Sequence, residues 1–445
     1  MKITHISSAA VLIEHKGTKV LCDPWLVGDE YYGSWAIDPP LDNLDFSFFD
    51  DIDYIYISHI HPDHFSKETL KRINNKIPIL IHKYDEPFLK TNLIKLGKKV
   101  IELKHGERFI CGEDFSIYIY ASDDCNPEMC FKFFGCGKSK SLDGGSTGID
   151  TMSIFESSEF CILNVNDCPY ELSKIALDRV LSNHKSVDLL LVGYAGAGSF
   201  PQCWSCYSDE EKLTKYGIQK KNKFLNMGLD YINKVQPKYY MPFAGTYVLS
   251  GRNAKLERFR VVPTLDEALD FYKERYDSGT GLLLNSFSSF DLGNEFVPDY
   301  KPIDREAQIR YCEEVLINKS YVFDADEEPS LESIMSLIPE SYNRYNEKRK
   351  SLNFSTDTNI YIYLPEERML KISANNSGFE VIKESEFSGD KFISYKLDFK
   401  LLYRILKGPK YAHWNNAEIG SHIEFSRKPD IYERSIQYSM NFFHT

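Results

Sequence analysis

Residues 55–65 read IYISHIHPDHF, and they carry three of the chain's 11 histidines. The β-branched and aromatic run at 55–57 reads as a strand. Pro62 turns the chain, and Ser66 is placed to cap a helix over KETLKRINN, with Leu70 and Ile73 on one face. Residues two apart in an extended segment point to the same side, so His59 and His61 aim at one position. Past Pro62, Asp63 and His64 swing toward a second position. Imidazole and carboxylate are suitable ligands for zinc, iron or manganese. Four such residues on a strand-to-helix turn therefore predict a metal site.

Around this stretch, short apolar runs alternate with turns. KITHISSAAVLIEHKGTKVLCDPW reads as two or three strands with a hairpin turn at Lys16-Gly17. IPILIHK, KKVIELKHG and FSIYIYASD read as strands, and IDTMSIFESSEFCILNVND as two more. ELSKIALDRVLSNH reads as a helix before the buried strand VDLLLVGY. KLTKYGIQKKNKFLNMGLDYINKV reads as a second helix before the strand PKYYMPFAG. Sheet layers covered by helices are expected, an α+β architecture. With 445 residues, two domains are expected. Residues 1–290 form the first, and the polar, proline-bearing residues 291–330 read as a linker. Residues 331–445 form a C-terminal α+β domain, with a helix over SLESIMSLIPESYNRYNEKR and then strands over NIYIYLPEERMLKIS and KFISYKLDFKLLYRIL.

The composition, 42% hydrophobic and 27% charged, is that of a folded globular chain. A formal net charge of −12 argues against an extended nucleic-acid footprint. No apolar run is long enough to span a membrane. The N-terminus shows no secretory pattern, so a cytoplasmic protein with mostly reduced cysteines is expected.

The whole stretch SHIHPDHF resembles the signature of the metallo-β-lactamase superfamily, which implies an αββα sandwich holding two divalent metal ions. The resemblance implies that Asp23, in VLCDPW, braces the metal loop and that Asp167, in FCILNVNDC, bridges the metals. It also implies a histidine after FSIYIY and another in the late strand. Here Ala121-Ser122-Asp123-Asp124 follows the first, and Pro242-Phe243-Ala244-Gly245 stands in the second. His59, His61, Asp63, His64, Asp167 and one of Asp123 and Asp124 are thus the candidate ligands. A set richer in oxygen favours iron, with zinc or manganese as alternatives.

VGYAGAGSFPQCW (Val192–Trp204), MPFAGTYV and HWNNAEIGSHIEFSRKPDIYER resemble segments of the CMP-N-acetylneuraminate hydroxylase branch. That branch implies an oxygenase of a nucleotide-activated sugar, joined to a Rieske domain. A Rieske centre needs CxH…CxxH spacing, and no CxH occurs here. An oxygenase built on this chain would then take electrons from a separate donor or from its substrate. The C-terminal part resembles sterol-carrier-like modules, which implies a hydrophobic substrate wall, a homodimer surface or a scaffold packed on the catalytic domain.

The expected function is a dinuclear iron oxygenase or hydroxylase of a small polar or nucleotide-linked metabolite. The alternative is a metallo-hydrolase of a phosphodiester, lactone or amide that uses a metal-bound hydroxide. Asp63 and Tyr194 are the candidate catalytic residues. Tyr194, Gln202, Trp204 and His413 are the candidate substrate contacts. The glycine-rich run 193–198 is expected to bring its backbone close to the metal site.

Overall fold

The computed structural model describes residues 1–41, 43–122, 150–375 and 377–445. At the N-terminal hairpin, Lys16 and Gly17 have φ of 45° and 82° and join strand Ala10–His15 to strand Thr18–Cys22. Two central residues with positive φ make the tight connection whose twist matches that of paired strands.

Two seven-stranded sheets stack face to face. The first runs in the order Ser289–Asp291, Lys2–Ser7, Ala10–His15, Thr18–Cys22, Tyr54–Tyr56, Ile79–His82, Val100–Leu103. The second runs in the order Thr280–Gly281, Tyr239–Phe243, Leu189–Gly193, Cys161–Asn164, Thr151–Glu156, Phe115–Ala121, Arg108–Gly112. Between them Ile3, Val11, Val20, Tyr56 and Leu80 meet Ile117, Phe155, Ile162, Leu189 and Met241. The two-residue period of a strand decides which side chain goes where. Leu189 and Leu191 enter this inner layer, whereas Leu190 and Val192 pack beneath helices Tyr170–Asn183 and Gly217–Val235. On the far side Ile55, Ile57, Ile79 and Ile81 meet Leu70, Leu89 and Leu93 of the covering helices. The αββα sandwich expected from the sequence is therefore present.

Strands Thr18–Cys22, Tyr54–Tyr56 and Ile79–His82 run parallel, as do Cys161–Asn164, Leu189–Gly193 and Tyr239–Phe243. Their carboxyl ends release Asp23, the segment 58–64, and Asn166-Asp167 at one rim. Hydrogen bonds from Ser58 and Asn166 to Asp23 join the two sheets there.

A five-stranded sheet forms the C-terminal part, in the order Phe379–Lys383, Arg368–Ser373, Asn359–Leu364, Phe392–Lys396, Glu424–Lys428. Its core gathers Tyr345, Ile360, Ile362, Leu370, Leu401, Ile405, Trp414 and Phe425, and it also takes in Cys203, Trp204 and Tyr207 from the first part of the chain. The stretch 291–330 holds a helix, Arg305–Glu314, and buries Cys312 and Leu316 against Ala36, Val248 and Ala254.

One expectation is corrected. KFISYKLDFKLLYRIL is not strand throughout: Phe392–Lys396 is a strand, and Phe399–Leu406 is a helix capped by Asp398. Leu401, Leu402, Ile405 and Leu406 are its buried residues, which is helical spacing.

Candidate metal centre

The site is built around a buried carboxylate. Asp23 is fully buried and sits at a left-handed φ of 42°, a conformation that aspartate tolerates better than most residues. Its Oδ1 accepts from the Ser58 backbone N–H at 2.7 Å. Its Oδ2 accepts from Ser58 Oγ at 2.8 Å, lies 3.1 Å from His64 Nδ1, and also accepts from Asn166 Nδ2. The Ser58 carbonyl is held in turn by Thr151 Oγ1 at 2.7 Å and by the Tyr84 hydroxyl. The backbone of the histidine motif is thus fixed from both sheets.

These partners determine where the imidazole protons reside. Ser58 Oγ spends its hydrogen on Asp23, so at 2.9 Å it accepts from His59 Nδ1. His59 Nε2 is left as a lone pair. It lies 2.9 Å from His61 Nδ1, whose other ring nitrogen faces Asn415 Oδ1 at 3.2 Å. An amide oxygen only accepts, so His61 carries its proton on Nε2. Two lone pairs then converge on one point, an arrangement that a cation between them relieves. Asp150 Oδ1, 3.9 Å from His59 Nε2, completes the group His59, His61 and Asp150.

A second position lies alongside. His64 Nε2 is 3.3 Å from Asp63 Oδ2 and 3.3 Å from Asp167 Oδ2. Asp167 Oδ2 also approaches His59 Nε2 to 3.9 Å, so this carboxylate stands between the two positions. The Tyr31 hydroxyl donates to the other Asp63 oxygen at 2.6 Å. Burial, and then the neighbouring imidazoles, hold His59 well below the usual histidine range. Burial alone would lower His64 as well, but Asp63, Asp167 and Asp23 outweigh it and raise His64 well above that range. The donor set fits metal ions: His59, His61 and Asp150 in one place, and His59, His64 and Asp167 in the other, with Asp63 beside His64.

His59, His61, Asp63, His64 and Asp167 are thus brought together. Asp123 and Asp124 lie outside the described residues. Gln202 is buried and donates to Gly198 O and to Ser421 Oγ. His413 caps helix Trp414–Ile419, two residues from the Asn415 that meets His61. Tyr194 and Trp204 sit elsewhere. Tyr194 is in the core under helix Gly217–Val235, with Arg260, Arg305 and Asp38 as its charged surroundings. Trp204 is in the C-terminal core, stacked on Phe425 and under Arg427. In the glycine-rich run, Gly193 packs against the Asn166 carbonyl, where a Cβ would fall 3.2 Å away. A Cβ on Gly196 would fall 1.8 Å from Phe224, so this glycine lets a helix approach.

Asp150, Tyr31, Asn166 and Asn415 were not evident in the sequence. Asp150 follows the strand FSIYIY by 30 residues in sequence, and the Ser122 N–H donates to its carbonyl at 3.0 Å. The late strand brings no imidazole. The Tyr31 and Tyr247 phenols feel the charge of Asp63 on that side.

Residues 2–201 match the family model of the beta-lactamase superfamily domain. A putative Rieske 2Fe-2S iron-sulfur protein of Mycolicibacterium smegmatis is 28% identical over 251 residues, 55% of this chain and 43% of that protein. The cytidine monophosphate-N-acetylneuraminic acid hydroxylase of Xenopus laevis is 28% identical over 255 residues, 56% of this chain and 38% of that protein. The chain spans less than half the length of these relatives. Among solved structures, an isothiocyanate hydrolase from Delia radicum gut bacteria aligns over 65% of this chain and 99% of its own, with a TM-score of 0.44 and 13% identity. Over residues 2–201, with the histidine motif at their rim, the chain is similar to the beta-lactamase superfamily domain.

Proposed function

We propose that the chain is a metal-dependent hydroxylase that uses dioxygen, holds iron at the two positions described, and acts on a small polar or nucleotide-linked metabolite. The observation that carries this reading is Asp150: a carboxylate faces His59 and His61 where the superfamily resemblance implies a third imidazole. Three imidazoles and three carboxylates make an oxygen-rich set, less suited to zinc and better suited to iron or manganese. The likeness to a CMP-N-acetylneuraminic acid hydroxylase supports the same class and the nucleotide-linked substrate. Bound iron supplies the one-electron chemistry that dioxygen activation needs. The chain's own residues do the rest. Ser58 and Asn415 leave the lone pairs of His59 and His61 facing inward, Asp23 fixes the ring of His64, and Tyr31 leaves one Asp63 oxygen free toward His64. A separate electron donor completes the reaction.

The test is elemental analysis of chain purified without added metal, followed by reduction. About two irons per chain, with a ferric absorption band that bleaches on reduction, is the expected result. Stoichiometric zinc without iron would overturn the oxygenase reading and leave the metallo-hydrolase of a phosphodiester, lactone or amide in its place.

A further inference from the structure

The segment 413–422 of the C-terminal domain lies against the histidine motif and the loop beside it. His413 N–H donates to the Tyr32 hydroxyl at 2.7 Å. His422 Nε2 meets the Tyr31 carbonyl at 2.8 Å. Gly420 packs so closely that a Cβ there would fall 2.8 Å from Ser34 Oγ and 2.9 Å from Tyr31 Cβ. From the other side, Asn253 Nδ2 donates to the Ser421 carbonyl at 2.9 Å, and Gln202 Nε2 to Ser421 Oγ at 3.1 Å. The segment is fixed to the first domain at several points, and Asn415 projects from it to His61, 354 residues away in sequence. Tyr31, which the same segment abuts, is the residue that holds Asp63.

We infer that Asn415 is a positioning residue of the metal centre, supplied by the C-terminal domain: it accepts a hydrogen bond from His61 Nε2–H and thereby directs the Nδ1 lone pair at the metal. His59 has Ser58 for this purpose and His64 has Asp23, both close to the motif. Among the described residues, His61 Nε2 has Asn415. Outer partners of this kind fix the tautomer and ring orientation of a ligating histidine. The first domain's metal site is thereby completed only when the C-terminal domain is docked.

Resting on the metal-centre reading above, the inference is tested on the full chain with two measurements. Nitrogen-15 spectra of the metal-free protein report the tautomer of His61. Iron(II) competition titration reports affinity. In wild type the Nε2–H form dominates. Asn415→Leu mixes the tautomers and weakens iron binding about 10- to 100-fold, while Asn415→Asp, which keeps an acceptor, stays within about threefold of wild type. A purely structural role would lower the melting temperature of Asn415→Leu and leave both readouts unmoved. A folded Asn415→Leu with wild-type tautomer and affinity overturns the inference while the metal centre stands. If Asn415→Leu does not fold, Asn415→Ala is read by the same criteria. A wild-type chain that takes up no iron, zinc or manganese overturns the metal centre itself and this inference with it.

Discussion

Replacing Asp23 by asparagine keeps the shape of the side chain and removes its charge and one acceptor. Three donors converge on Oδ2 and one on Oδ1. The amide will therefore turn its nitrogen to the Oδ1 position, where it faces the Ser58 N–H. That buried donor loses its partner, at a cost of about 1–3 kcal/mol. The three remaining bonds become neutral acceptors, about 1 kcal/mol weaker each. Relief from burying a carboxylate offsets part of this sum, and these terms are not independent. A net loss of about 3 kcal/mol is expected for the metal-free protein. The bond that fixes the His64 ring is among those weakened, so metal affinity should fall about 10- to 100-fold. Urea unfolding in the presence of a chelator measures the first effect, and competition titration with iron(II) the second. An Asp23→Asn protein with stability within about 0.5 kcal/mol of wild type and unchanged affinity would refute the bracing role.

Three other outcomes are expected. Asp150→Ala should remove about half of the bound metal by elemental analysis, because His59 and His61 lose their third partner; undiminished metal would place the third ligand elsewhere. Gly196→Ala should destabilise by about 1–3 kcal/mol through its clash with the Phe224 ring, and Gly196→Ala in a Phe224→Ala background should cost less; equal costs in the two backgrounds would exclude that contact as the cause. Burial lowers the pKa of His5 to about 4, away from the metal centre, with hydrogen bonds to the backbone at Ser8 and Leu284 opposing. The unfolded chain then binds the proton more readily, so the His5 contribution is complete above about pH 6.5 and is lost as pH falls toward 4, by about 3 kcal/mol in all. The difference in unfolding free energy between wild type and His5→Gln should move by that amount between pH 7 and pH 4, and a constant difference would refute it.

The parts of the site that were legible in the sequence are those whose chemistry is local. His59, His61, Asp63 and His64 lie within one strand and one turn, so spacing alone aims them. Sheet layers covered by helices were legible because runs such as VDLLLVGY bury both strand faces, and the αββα sandwich was implied by the resemblance to the metallo-β-lactamase superfamily. Asp150 and Asn415 were not legible because their roles come from contacts between distant segments. Asn415 is one of two adjacent asparagines in a six-residue helix, and only its contact with His61 selects it. Tyr194 and Trp204 were drawn toward the site by the glycine-rich run between them. In the fold that run is where a helix and a second core converge, so its aromatic residues are structural. KLLYRIL was misread because a few apolar residues of this spacing suit either period until burial decides between them.

The contact of Trp204 with Phe425 has a consequence for association. Ser205 N–H donates to the Phe425 carbonyl, and Phe425 N–H donates to the Cys203 carbonyl, each at 2.8 Å. The loop thus pairs with the outer side of Glu424–Lys428, the strand that ends the five-stranded sheet. An unpaired strand at that border would be a template for another chain. Here the protein supplies its own short partner. The opposite border, Phe379–Lys383, presents exposed Glu380 and Lys383, and charged side chains discourage the addition of a further strand. The sheet is finite because one border is occupied and the other is charged.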